Sequence, residues 1–179
     1  MRLKKLEQIL KGRPEPDVVR VLSYRPEMFG TPFSICLEDV MRGPSEWSVG
    51  ERELFAAFVS RKNQCPFWTG SHSAVASEAL GDAFVTAVLD DWRTAAIDQK
   101  LRTTLAFLEK LTLTPGEIEQ DDIAPMRMAG VSDQAIEDAI YVCTYFNIID
   151  RIADSLDFEV LSAETFGQRA GNFLREGYL

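Results

Sequence analysis

The sequence predicts an all-α fold: a compact multi-helix domain over residues 1–179 with a short N-terminal helical arm. Three observations predict it. Apolar residues recur at three- and four-residue spacing in one segment after another. Helix-start signals, a Ser or Thr cap or a first-turn proline, stand before most of these segments. No stretch combines period-two alternation with a hairpin turn, so few strands or none are expected.

The elements follow in order. "LKKLEQIL" places Leu3, Leu6, Ile9 and Leu10 at helical spacing and forms the arm. "DVVRVLSY" is a second short helix, ending before Pro26. "TPFSICLEDVMRG" has Pro32 in its first turn and Gly43 after its last. In "SVGE", Ser48 and Glu51 form the capping-box pattern, and a strong helix follows through Leu54, Phe55, Phe58 and Val59. Pro66 suits the first turn of the next helix, which runs to about Leu80 before Gly81. Helices over "DAFVTAVLDD" and "TAAIDQKLRTTLAFLEKL" come next. Thr114, Pro115 and Glu117 repeat the cap, first-turn proline and capping-box pattern. "DDIAPMRMAG" is a short helix with Pro125 inside it. Ser132 caps the longest helix, about 133–156, and Ser162 caps the last, to about Arg175.

Composition narrows the function. The 179 residues carry 19 Lys and Arg against 28 Asp and Glu, a net charge of −9. That disfavours nucleic acid or an anionic membrane surface as partner, since both reward basic patches. No segment approaches the apolar length of a membrane span. The basic start of "MRLKK" has no apolar run behind it, so it does not read as a signal peptide. The three cysteines, Cys36, Cys65 and Cys143, are widely spaced and odd in number, which points to a reducing cytoplasm. Cys36 and Cys143 fit core packing.

Chemistry concentrates in "RKNQCPFWTGSH". With Pro66 as first helical residue, Cys65 is the N-cap, near unpaired backbone N–H groups and the positive helix end. Both favour thiolate, so its pKa is expected to fall. Trp68 and His72, the only histidine, lie along one face of the same helix. A two-helix hairpin turning at "KNQ" brings Glu53 alongside His72, where a carboxylate orients an imidazole and raises its basicity. Its neighbours Glu51 and Arg52 are expected on the solvated face. Trp68 reads as a core aromatic or as the wall of a pocket. Asn147, Asp150, Arg151 and Asp154 form a polar stripe, read as helix salt bridging or as a lining of the site or a subunit contact. A metal is not expected, because Glu53, Cys65 and His72 lack the spacing of a zinc site. No phosphate-binding loop or other cofactor motif occurs.

The order Glu53, eleven residues, Cys65, two residues, position 68, three residues, His72 resembles the E-x11-C-x2-C-x3-H signature of the alkyl hydroperoxidase D and carboxymuconolactone decarboxylase family. "SEWSVGERELFAAFVSRKNQCPF" is similar to the approach to that motif in peroxidase-related members. "LTLTPGEIEQDDIAPMRMAGVSDQAIEDAIYVCTYFNIIDRIADSL" is similar to their second block, here about 111–158, after the motif helices of about 48–80. The resemblance implies an all-α fold, a homo-oligomer (trimer, hexamer or dimer) and thiol reduction of small organic hydroperoxides. It also implies roles: Glu53 and His72 relay a proton and Cys65 resolves the sulfenic acid formed on the attacking cysteine. Trp68 stands where that attacking cysteine belongs. No local disulfide closes at this motif, so turnover would rest on Cys65 alone with an external thiol reductant.

Three functions are therefore carried forward. The first is a cytoplasmic peroxidase-related oxidoreductase acting on hydroperoxides through Cys65, with reduced or altered activity. The second is a redox-inactive relative that binds or converts a small metabolite, decarboxylase- or lyase-like, with His72 and Glu53 as acid and base. The third is a non-catalytic helical oligomerisation module.

Overall fold

The computed structural model describes residues 4–8 and 16–178. Ten α-helices and two short 3-10 turns make up these residues, and no strand occurs among them. The expected N-terminal arm is seen as α1 (Lys4–Glu7); Leu3, Ile9 and Leu10 lie outside the described residues. Then follow α2 (Asp17–Tyr24), α3 (Thr31–Arg42), α4 (Val49–Lys62), α5 (Pro66–Leu80) and α6 (Asp82–Asp91). After them come α7 (Gln99–Leu113), α8 (Ala124–Met128), α9 (Asp133–Leu156) and α10 (Ala163–Glu176).

The centre of the fold is the antiparallel hairpin of α4 and α5. Its start is set as the sequence predicts: Ser48 accepts from the Glu51 backbone N–H while the Glu51 carboxylate accepts from the Ser48 backbone, a full capping box. Helix α4 is buried along nearly all its length, through Leu54, Phe55, Phe58 and Val59. Even Arg52, expected in solvent, is buried. Its guanidinium donates to the Val40 and Gly43 carbonyls at 2.9 Å each, closing the end of α3. Helices α9 and α7 pack on α4, and α10 and α6 on α5. The α5–α10 approach requires a glycine: a Cβ on Gly70 would fall 2.7 Å from the Phe166 ring. No helix of the described residues is long and apolar enough to cross a membrane.

Two expected boundaries move. Helix α7 starts at Gln99 rather than near Thr94, because the Asp98 carboxylate caps the Leu101 N–H at 2.8 Å. Arg102 satisfies the carbonyls of Trp92, at 2.8 Å, and of Ala95, at 2.7 Å, which a longer helix would have used. Thr114 forms no capping bond; a 3-10 turn covers Pro115–Glu117 instead. The "DDIAPMRMAG" segment splits into a 3-10 turn at Gln120–Asp122 and α8. Pro125 sits in the first turn of α8, where its missing N–H costs nothing.

Candidate active site

The α4–α5 turn is closed by the Cys65 N–H on the Ser60 carbonyl at 2.9 Å, with Gln64 in the left-handed region at φ 61°. The turn sets Glu53 and His72 side by side. Nδ1 of His72 lies 2.5 Å from Glu53 Oε2, and both residues are buried. The Phe146 ring meets the imidazole edge-on at 4.5 Å, and Trp68 lies tilted over it at 5.5 Å.

Two further partners of Glu53 come from distant segments. Arg42, at the end of α3, places Nη2 2.7 Å from Oε1. Tyr178 donates its hydroxyl to the same oxygen at 2.8 Å, and the Arg42 guanidinium lies over its ring at 4.9 Å. Gly177 makes this return possible. It adopts φ 74°, and a Cβ there would sit 2.3 Å from a Glu38 carboxylate oxygen. The same carboxylate accepts the Tyr178 backbone N–H at 2.7 Å. Neither Arg42 nor Tyr178 shows any local sequence signal that links it to Glu53.

Burial opposes charge on Glu53, but His72 and Arg42 outweigh it and hold the carboxyl below its usual range. Burial and the Glu53 charge push the Tyr178 phenol well above its usual value, so it stays a neutral donor. Glu53 is thus a fixed anion with donors on both oxygens. Because Nδ1 of the imidazole faces this anion, the neutral form of the ring keeps its proton there and leaves the lone pair on Nε2. Nε2 is buried and has no hydrogen-bond partner among the described residues.

His72 lines a cavity of about 370 Å³. Trp68, Ser71, His72 and Val75 of α5 form one wall and Phe166, Arg169, Ala170 and Phe173 of α10 another. Pro16, Val18, Val19 and Leu22, at and in α2, also line it. Trp68 is therefore both a core aromatic and a cavity wall; its Nε1 donates to the Ile149 carbonyl at 3.3 Å.

Cys65 is placed differently from the sequence expectation. It is the N-cap of α5, but it is fully buried, makes no capping bond and does not line the cavity. Its pKa rises well above the ordinary thiol value instead of falling. Burial is the main cause, and Asp154 and Asp150 add to it against the opposing Trp68 backbone N–H. Two members of the polar stripe of α9, Asp150 and Asp154, thus act on Cys65, while Arg151 donates to Asn147. Asp150 accepts from Ser60 Oγ at 2.8 Å and from Asn63 Nδ2 at 2.7 Å. Burial pushes Asp150 up to about 6 despite these bonds. All three cysteines are free: Cys143 is in the core as expected, but Cys36 is exposed on α3. Among the described residues no three His, Cys, Asp or Glu side chains are grouped to hold a metal ion.

No protein-family model and no curated protein matches the chain. Solved structures do. An uncharacterized peroxidase-related protein from Silicibacter sp. TM1040 is similar with 27% identity and a TM-score of 0.78, over 91% of this chain and 84% of that one. The alkylhydroperoxidase AhpD core of a peroxidase-related protein from Ralstonia eutropha JMP134 has 22% identity and a TM-score of 0.76, over 94% and 90%. The debrominase Bmp8, as a cysteine-to-alanine variant in complex with 2,3,4-tribromopyrrole, shares the fold at 15% identity and a TM-score of 0.70, over 94% and 90%. The chain has the all-α, AhpD-like fold, and its resemblance to the peroxidase-related proteins extends over nearly its whole length.

Proposed function

We propose that this chain, which resembles the AhpD-like peroxidase-related proteins, binds a compact, mainly apolar metabolite and moves a proton on it, with His72 as the acid–base group. One observation carries the reading: Nε2 of a buried His72 faces an apolar cavity without a partner, while Nδ1 is held by an anionic Glu53. A substrate proton within reach passes to Nε2. The imidazolium so formed is stabilised by the Glu53 anion beside it, and the proton then returns to the product. Glu53 acts as a positioning residue, because three donors converge on it and favour its charge over protonation. Trp68 shapes the wall.

Hydroperoxide reduction through Cys65 with an external thiol reductant has less support, since that thiol is buried, neutral and outside the cavity lining. The two readings separate in one experiment. Reduced protein is mixed with one equivalent of an alkyl hydroperoxide, and Cys65 is probed for sulfenic acid. The acid–base reading expects no adduct; an adduct at Cys65 would restore the peroxidase reading. A purely oligomeric module predicts that replacing Glu53 and His72 together changes stability but not ligand binding. The exposed Ile35 on α3, with Tyr141 and Ile148 on α9, supports a homo-oligomeric state for the enzyme. The free cysteines support a cytoplasmic one.

A further inference from the structure

Resting on the reading that the cavity holds a substrate against His72, we infer that this substrate is a flat, apolar monocarboxylic acid whose carboxylate pairs with Arg169. Arg169 is the one Lys, Arg, Asp or Glu side chain among the described residues lining the cavity. It is half-buried, and among the described residues its guanidinium makes no ion pair or hydrogen bond. The chain carries 28 acidic residues, and Arg42, near the same site, is paired with Glu53. A half-buried guanidinium in an apolar wall attracts an anion more strongly than one in open water. No carboxylate of the described residues meets it here, so a ligand carboxylate is the partner that fits, taken up through the planar fork of the guanidinium.

The rest of the lining fixes the body of the ligand. Phe67, Trp68, Phe166 and Phe173 present aromatic surface, which suits one or two rings in a cavity of about 370 Å³. The unmet buried polar atom of the lining is His72 Nε2, on α5, whereas Arg169 is on α10. An acid bound at Arg169 therefore extends its body toward the base. A single cation and a protein net charge of −9 select a monoanion over a phosphate or polyanion.

Calorimetric titration with 2-naphthoate and with its neutral counterpart 2-naphthamide tests this on the full-length protein. The wild type is expected to bind the acid about tenfold more tightly than the amide, the effect of one charge-assisted pair. Arg169→Gln brings the acid-to-amide ratio to about one, and Arg169→Lys restores part of it. Arg169 makes no ion pair or hydrogen bond among the described residues, so these variants are expected to leave the fold intact; circular dichroism checks this. Equal affinity for acid and amide in the wild type, or an undiminished ratio in Arg169→Gln, overturns the inference. If both probes bind equally and His72→Phe weakens both, the inference falls and the proposed function stands. If neither probe binds the wild type, both fall.

Discussion

Replacing Glu53 with Gln tests whether this carboxylate anchors the site. Its two oxygens hold His72 Nδ1 at 2.5 Å, Arg42 Nη2 at 2.7 Å and the Tyr178 hydroxyl at 2.8 Å. Gln has the same shape without the charge. Arg42, with 12% of its side chain exposed, then loses its counter-ion. Breaking a buried ion pair from one side costs about 3–5 kcal/mol. The amide oxygen still accepts from Arg42 and Tyr178, so the low end, about 3 kcal/mol, is expected. With an m-value of about 2 kcal/mol/M, the urea midpoint at pH 7 falls by about 1.5 M. The second effect is chemical. With the oxygen committed to Arg42 and Tyr178, the amide NH2 faces His72 Nδ1. The ring must accept there and carry its proton on Nε2, the opposite tautomer, which removes the base. His72 is the only histidine, so its nitrogen NMR signals need no assignment. A midpoint shift below about 0.5 M, or a ring that keeps its proton on Nδ1, would refute the reasoning.

Tyr178→Phe removes one donor to the Glu53 anion while Arg42 remains, so urea unfolding is expected to show a loss of about 1–2 kcal/mol; no loss would mean the C-terminal return is decorative. With a chromogenic disulfide reagent, the native protein should show one fast thiol, Cys36, and release Cys65 and Cys143 only on unfolding. A second fast thiol would contradict the placement of Cys65. Asp150 gives a pH signature. Its folded pKa of about 6 lies above the unfolded value near 3.9, so the folded state binds a proton that the unfolded state has lost. Its contribution to stability therefore declines as pH rises from about 4 to about 6, by up to roughly 3 kcal/mol, and Asp150→Asn should abolish that decline in urea midpoints. Glu53 works in the other direction. Its folded pKa is depressed, so its contribution is present above the unfolded value of about 4.3 and lost as pH falls further. The stability gap between wild type and Glu53→Gln should close below about pH 4, followed by the same titration.

The central hairpin was legible in the sequence because its signals are local. Ser48 and Glu51 start α4, Pro66 starts α5, and the short turn between them forces Glu53 and His72 together. Cys65 shows the limit of that reasoning. Its helix-start position does favour thiolate, but burial and the carboxylates of Asp150 and Asp154 on α9 outweigh it. Those groups come from a distant helix, and no spacing near Cys65 announces them. Arg42, Tyr178 and Arg169 carry no local sequence signal for the same reason. Each acts through tertiary packing: the end of α3 closing on α4, the chain turning back at Gly177, and α10 facing α5 across the cavity. The start of α7 differs from the sequence expectation on a smaller scale, because Asp98 and Arg102 satisfy a loop that helical periodicity alone extends through.

The account rests on His72 Nε2 being the bare, cavity-facing nitrogen that meets the ligand. The direct measurement is the imidazole nitrogen spectrum of the wild type at neutral pH, with and without saturating 2-naphthoate. The account predicts a proton on Nδ1, a free Nε2 in the unliganded protein, and a shift at Nε2 when the ligand binds. A proton on Nε2 without ligand, or an Nε2 signal that a bound ligand leaves unmoved, would contradict it.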